Sequence, residues 1–103
     1  MKNYISIITT TKTKKNADLI SEKIVKSKLS PCVQSIQGVE ALFYWNNKIE
    51  NQEEIMLIIK ADSINANKIK SIIKDFHEYE TPEIIAYNFN IISKEYEKWF
   101  NEQ

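Results

Sequence analysis

CVQSIQGVEALFYWNNKIENQEEIMLIIKA, residues 32–61, is the stretch on which the fold turns. Cys32 to Trp45 is rich in β-branched and aromatic residues and is broken only by Gly38, and Ile49 to Ala61 reads as its returning partner. Asn46-Asn47 between them suits the positive-φ positions of a tight hairpin turn. A strand of about 14 residues reaches roughly 45 Å at 3.3 Å per residue, whereas a compact domain of this length is about 33 Å across. The hairpin should therefore overhang its own domain and carry Leu42, Phe43, Tyr44 and Trp45 with it. Such an end is an aggregation hazard unless another subunit covers it, so the chain is expected to oligomerise.

Upstream, Asn3 to Thr10 has apolar or β-favouring residues on both faces and reads as a central strand. Ala17, Ile20, Ile24, Val25 and Leu29 have helical spacing, which predicts a helix over about 14–29, stopped by Ser30-Pro31. Downstream, Ser63 or Asn65 can cap a helix carrying the stripe Ile69, Ile72, Ile73 and Phe76. Glu83 to Ile91 alternates as a fourth strand, and Ile92, Tyr96, Trp99 and Phe100 suggest a short terminal helix. With right-handed crossovers the order β-α-β-β-α-β-α gives an α+β, ferredoxin-like βαββαβ sandwich with an extended β2-β3 hairpin and a short C-terminal helix.

Composition narrows function. The 103 residues allow one domain, expected to be 1–103. Fourteen lysines balance fourteen acids with no arginine, so nucleic acid is not favoured and arginine-clamp phosphate chemistry is excluded. A lone cysteine excludes an internal disulfide, and no signal-like or membrane-length apolar run is present; a soluble cytoplasmic protein with no membrane contact is expected. Cys32 cannot provide the paired thiolates of a soft-metal chaperone, and Ile55 to Ile59 lacks the aromatics of an RNA-recognition sheet. No base-activated serine or cysteine is visible, so no enzyme activity is expected.

Cys32 reads either as a small buried hydrophobe or as a reactive, metal-binding thiol. His77, among Glu78, Glu80 and Glu83, reads either as a helix-end histidine or as a ligand for a borderline divalent cation. Tyr44 and Trp45 suit core or interface burial or a stacking platform, and Lys60 either snorkels or presents its ammonium to an anion.

The Ile5–Thr9 strand, Pro31-Cys32-Val33, Gly38-Val39, Tyr44-Trp45 with Lys48-Ile49-Glu50, Glu53-Glu54, Lys60, His77-Glu78-Tyr79-Glu80-Thr81-Pro82-Glu83-Ile84-Ile85, and Tyr96 with Trp99 together resemble the CutA divalent-cation tolerance proteins. The segment at His77 is similar to that family's His-Pro-Tyr-Glu-x-Pro-Glu-Ile, with Glu78 where proline is usual. The aromatic pair, commonly Trp-Trp, is Tyr44-Trp45, and the usual Ala-Ala-Cys-Val is Ser30-Pro31-Cys32-Val33. The resemblance implies a ferredoxin-like homotrimer similar to the PII signalling proteins, its hairpins wrapping neighbours, with a link to copper and other divalent cations. No cofactor is required on this reading; Cu(II) or another divalent cation is the expected ligand, at Cys32, His77 or ligands drawn from adjacent subunits. Loss of proline after His77 is expected to relax that loop.

Two other readings stand beside a metal-responsive protein: a PII-like sensor of a small anionic ligand, and a trimeric protein-interaction scaffold. For the sensor, Tyr44, Trp45, Lys60, His77, Tyr79 and Glu83 are expected to meet in a cleft between subunits, combining cationic groups with aromatic faces.

Overall fold

In the computed structural model, which describes residues 2–103, the chain runs β1 (Tyr4–Thr11), α1 (Lys14–Lys26), β2 (Cys32–Trp45), β3 (Lys48–Asp62), α2 (Ala66–Phe76), β4 (Ile85–Phe89) and α3 (Lys94–Glu102). Met1, the expected start of the domain, lies outside the described residues. The four strands form one antiparallel sheet in the order β2-β3-β1-β4, the ferredoxin-like arrangement.

The two faces of the sheet differ because the strands alternate. Ile5, Ile7, Leu57, Ile59 and Ala61 point to one side and close a core with Ala17, Ile20 and Ile24 of α1 and Ile69 and Ile73 of α2. Ser6, Ile8, Cys32, Gln34, Ile36, Met56, Ile58 and Lys60 occupy the opposite parity and form the open face. At one end of that face α3 folds back, its Phe100 ring edge-on to Tyr4 at 5.5 Å between centroids.

β1 pairs β3 only from Ile55 to Asp62, so the β3 residues before Ile55 have β2 as their sole partner. The result is a two-stranded arm about 20 Å long by strand rise. It stretches the molecule to 46 × 24 × 21 Å, in keeping with the expected overhang. Asn46 (φ 50°) and Asn47 (φ 63°) form the tip in the left-handed region. The arm starts at a bulge between Ile36 and Val39, where β2 gains one residue on β3 and Gly38 takes φ 75°. Leu42 (71% exposed), Tyr44 (75%) and Ile49 (64%) lie together on the arm's helix-side face, past the end of the helices.

Several boundaries depart from the expectations. α1 stops at Lys26, short of residue 29, because Lys28 enters the left-handed region at φ 58°. The Lys28 N–H then donates to Val25 O (3.0 Å) and the Leu29 N–H to Ile24 O (3.2 Å), a Schellman ending. Leu29 still reaches the core, which explains why it continues the apolar stripe. Neither Ser63 nor Asn65 caps α2 with its side chain: Asp62 Oδ1 accepts the Ile64 N–H (3.1 Å) at a preceding 3₁₀ turn, and Asn65 Nδ2 donates to Leu29 O (3.1 Å). β4 spans Ile85–Phe89 instead of 83–91, since β1 offers it only Tyr4 to Ile8. Beyond Ile8, the Thr10 carbonyl is taken by His77.

Candidate functional site

The loop after α2 runs across the end of β1 and into the notch where β3 leaves the sheet for the arm. His77 fixes its start. Its Nε2 lies 2.8 Å from the Thr10 carbonyl oxygen, and its Nδ1 lies 2.9 Å from the Tyr79 backbone nitrogen. A carbonyl can only accept and an amide N–H can only donate, so Nε2 carries the proton and Nδ1 the lone pair. Both ring nitrogens are thereby used by the backbone.

Glu78 clamps the same loop to α1. Its Oε2 accepts the N–H groups of Lys12 (2.6 Å) and Thr13 (3.0 Å), and its Oε1 accepts the Thr13 hydroxyl (3.0 Å). The first turn of α1 has no acidic residue, so Glu78 brings negative charge to the helix's positive end from far along the chain. The Glu78 N–H donates to Asn16 Oδ1 (3.1 Å), while Asn16 Nδ2 donates to Phe76 O (2.8 Å). The expected relaxation of this loop is therefore overturned: glutamate makes an N–H bond that proline could not, and three more through its carboxylate.

Tyr79 packs its ring 5.0 Å from the His77 ring and donates its hydroxyl to Glu54 Oε2 at 2.8 Å, while Gln52 Nε2 donates to the same phenol oxygen. Gln52 and Glu54 share one face of β3 at i, i+2, and Glu54 is buried. Burial first, then the hydrogen bond to the Glu54 carboxylate and its charge, raise the Tyr79 phenol far above its ordinary value. The phenol therefore remains a neutral donor to that carboxylate at physiological pH.

The remaining candidates stand elsewhere. Lys60 is six residues from Glu54 along β3, about 20 Å by strand rise. Its Nζ sits 5.8 Å from the Tyr96 ring centroid, beside a groove of about 260 Å³ walled by Phe89, Ile91, Ile92 and Tyr96. Tyr44 and Trp45 are at the arm tip, eleven residues or about 36 Å from Lys60 through the partner Ile49. Glu83 is exposed on the approach to β4. Within one chain, then, His77 and Tyr79 are brought together, and Lys60 and the aromatic pair are not.

The two metal candidates are also apart. Cys32 pairs with Lys60, level with Ser6, whereas His77 binds at Thr10, four residues or about 13 Å further along β1. Cys32 is half-buried on the open face, and no group of three or more metal-binding side chains forms among the described residues. With both His77 nitrogens engaged, the Cys32–His77 pair of a single chain does not fit a divalent cation. Gln52 and Asn16 escape a reading based on motifs, and Glu54 enters it only as part of the family resemblance, with no role assigned. Neither Gln52, within the polar run Glu50 to Glu54, nor Asn16 carries a signal of its own.

Comparison with known proteins gives a consistent answer. The family model described as CutA1 divalent ion tolerance protein matches residues 5–103. The divalent-cation tolerance protein CutA of Yersinia pestis (strain Pestoides F) is 28% identical over 99 residues, covering 96% of this chain and 83% of that protein. Among solved structures, CutA1 from Oryza sativa superposes with a TM-score of 0.92 at 27% identity, covering 97% of this chain and 92% of its own. The periplasmic divalent cation tolerance protein CutA from Archaeoglobus fulgidus gives 0.89 at 29% identity, covering 99% and 97%. From its first strand to its last helix, this chain belongs to the CutA1 divalent ion tolerance family.

Proposed function

We propose that this chain acts as a homotrimeric, non-enzymatic, cytoplasmic protein of copper and divalent-cation tolerance, whose ligand sites are completed between subunits. The observation that carries the reading is the open sheet face continued by an exposed apolar arm. Ile8, Ile36, Met56 and Ile58 line that face, and among the described residues only α3 packs on it, at its Tyr4 and Lys60 end. Copies meeting through these surfaces would bury both the face and the arm. Light scattering at low micromolar concentration should return about three times the 12.1 kDa chain mass. A stable folded monomer would overturn the reading.

Threefold assembly would multiply the Cys32 thiol, which shares the open face. Calorimetric titration with Cu(II) or Zn(II) is expected to show modest binding that survives His77→Ala and is lost in Cys32→Ser. Unchanged binding in Cys32→Ser would remove the thiol from the site, and no binding to wild type would remove direct metal binding altogether. Localisation is read by fractionating the native host.

A second reading, the PII-like anion sensor, is favoured by Lys60. Its ammonium has no carboxylate within ion-pair distance among the described residues and stands beside an aromatic groove. If Lys60→Met preserves the oligomer and abolishes binding of an anion retained in native mass spectra of wild type, that reading replaces metal binding.

A further inference from the structure

The zero net charge of the chain is a sum of two opposite halves. The helical layer with its flanking turns, residues 12–28 and 66–76, carries nine lysines and three acids, a net of +6 that the Glu78 carboxylate clamped to Lys12 and Thr13 lowers to +5. The rest carries five lysines and eleven acids, a net of −6. All nine lysines of the layer are exposed. Two of its acids are satisfied locally, Asp18 by Lys14 at 2.8 Å and Glu22 by Lys26 at 3.8 Å. The other seven lysines have no carboxylate within ion-pair distance among the described residues. This layer lies on the sheet face opposite the open one, so it stays outermost if copies join through the open face.

Apolar surface is interleaved with the charge. Leu19, Val25 and Phe76 are exposed, and Lys23 Nζ lies 4.9 Å over the Phe76 ring. Leu19, Glu22, Lys23, Lys26 and Ser27 line a groove of about 380 Å³ along α1. We propose that this face docks an acidic segment of another protein, its carboxylates on the lysines and one apolar side chain in the groove at Leu19.

The composition of the face selects a protein over other polyanions. Inorganic polyphosphate offers no apolar anchor, and a nucleic acid, whose bases could stack only on Phe76, would meet no arginine to grip its phosphates bidentately. A bilayer needs apolar residues on one line of the helix, whereas Leu19 and Val25, six residues apart, point about 120° away from each other. An acidic peptide with spaced apolar residues satisfies both features at once.

Fluorescence anisotropy with a fluorescein-labelled synthetic peptide of repeating Glu-Glu-Leu tests the proposal on the intact protein. Binding is expected at low salt and should fade as ionic strength rises. The triple variant Lys15→Gln, Lys23→Gln, Lys26→Gln should weaken it about tenfold or more, at roughly half a kcal/mol per exposed charge. The triple Lys48→Gln, Lys94→Gln, Lys98→Gln, with the same change in net charge on the other half, should leave it within about twofold. A Glu-Glu-Ser peptide should bind more weakly than Glu-Glu-Leu. Circular dichroism establishes that both variants are folded. Equal losses in the two triples, equal affinity for the two peptides, or no binding by wild type would overturn the proposal. So would tighter binding of a dT oligonucleotide or phosphatidylserine vesicles, or a salt-sensitive rise in oligomer mass that the first triple abolishes.

Discussion

β3 belongs to two regions built on opposite terms. From Ile55 onward it lies between β2 and β1 beneath two helices, and Leu57, Ile59 and Ala61 have no exposed surface. From Lys48 to Glu54 it has one partner strand and no covering helix, and its neighbours Leu42 and Tyr44 stand in solvent. Same strand, same backbone geometry: what changes is the number of layers. The body can be held by its own core, whereas a two-stranded ribbon is at best marginal alone, so the arm depends on its base and on whatever covers it.

The largest expected contrast is in the core. Leu57→Ala should destabilise the protein by about 2–5 kcal/mol in urea unfolding at fixed protein concentration. The arm should behave otherwise: Trp45→Ala leaves the circular dichroism of the body unchanged but weakens assembly by about 2 kcal/mol, near thirtyfold in dissociation by light scattering. If Trp45→Ala unfolds the body as Leu57→Ala does, the two regions are one cooperative unit and the distinction fails.

The seam between them should respond next. Tyr79→Phe removes the hydroxyl donor from buried Glu54 and should cost about 1–3 kcal/mol. It also alters the alkaline limb. Because folding raises this phenol, its contribution is intact below the unfolded value of 10.0 and is lost as pH rises above it. Wild-type stability should therefore fall more steeply than that of Tyr79→Phe above about pH 10. Parallel curves would show that Tyr79 does not join the loop to the arm's base. The smallest effect lies in the body and has the opposite sign: Lys28→Gly should stabilise by about 1 kcal/mol, because glycine accepts φ 58° without strain.

The hairpin was legible in the sequence because alternation, the Asn46-Asn47 pair and strand rise all act locally. The end of α1 was not, since nothing marks Lys28 as a left-handed residue and Leu29 keeps the helical spacing. Glu78 looks like a solvated acid because its partners, Lys12 and Thr13, are more than sixty residues away. The separation of Lys60 from His77 and Tyr79 needs strand register, which residue identities do not encode. Motif reading recovers which residues resemble the family's pattern; it does not recover which of them touch.

The bulge at Gly38 makes the arm a measured extension. By absorbing one residue, it passes the open face from Cys32, Gln34 and Ile36 to Val39, Ala41, Phe43 and Trp45 while β3 keeps its phase. Beyond this joint, one odd insertion in either strand would exchange that strand's two faces and break their match with its partner's. Two residues added to each strand would restore them about 7 Å further out. The reach of the arm is thus graduated like a ruler, and lineages that lengthen or shorten it should do so in whole marks.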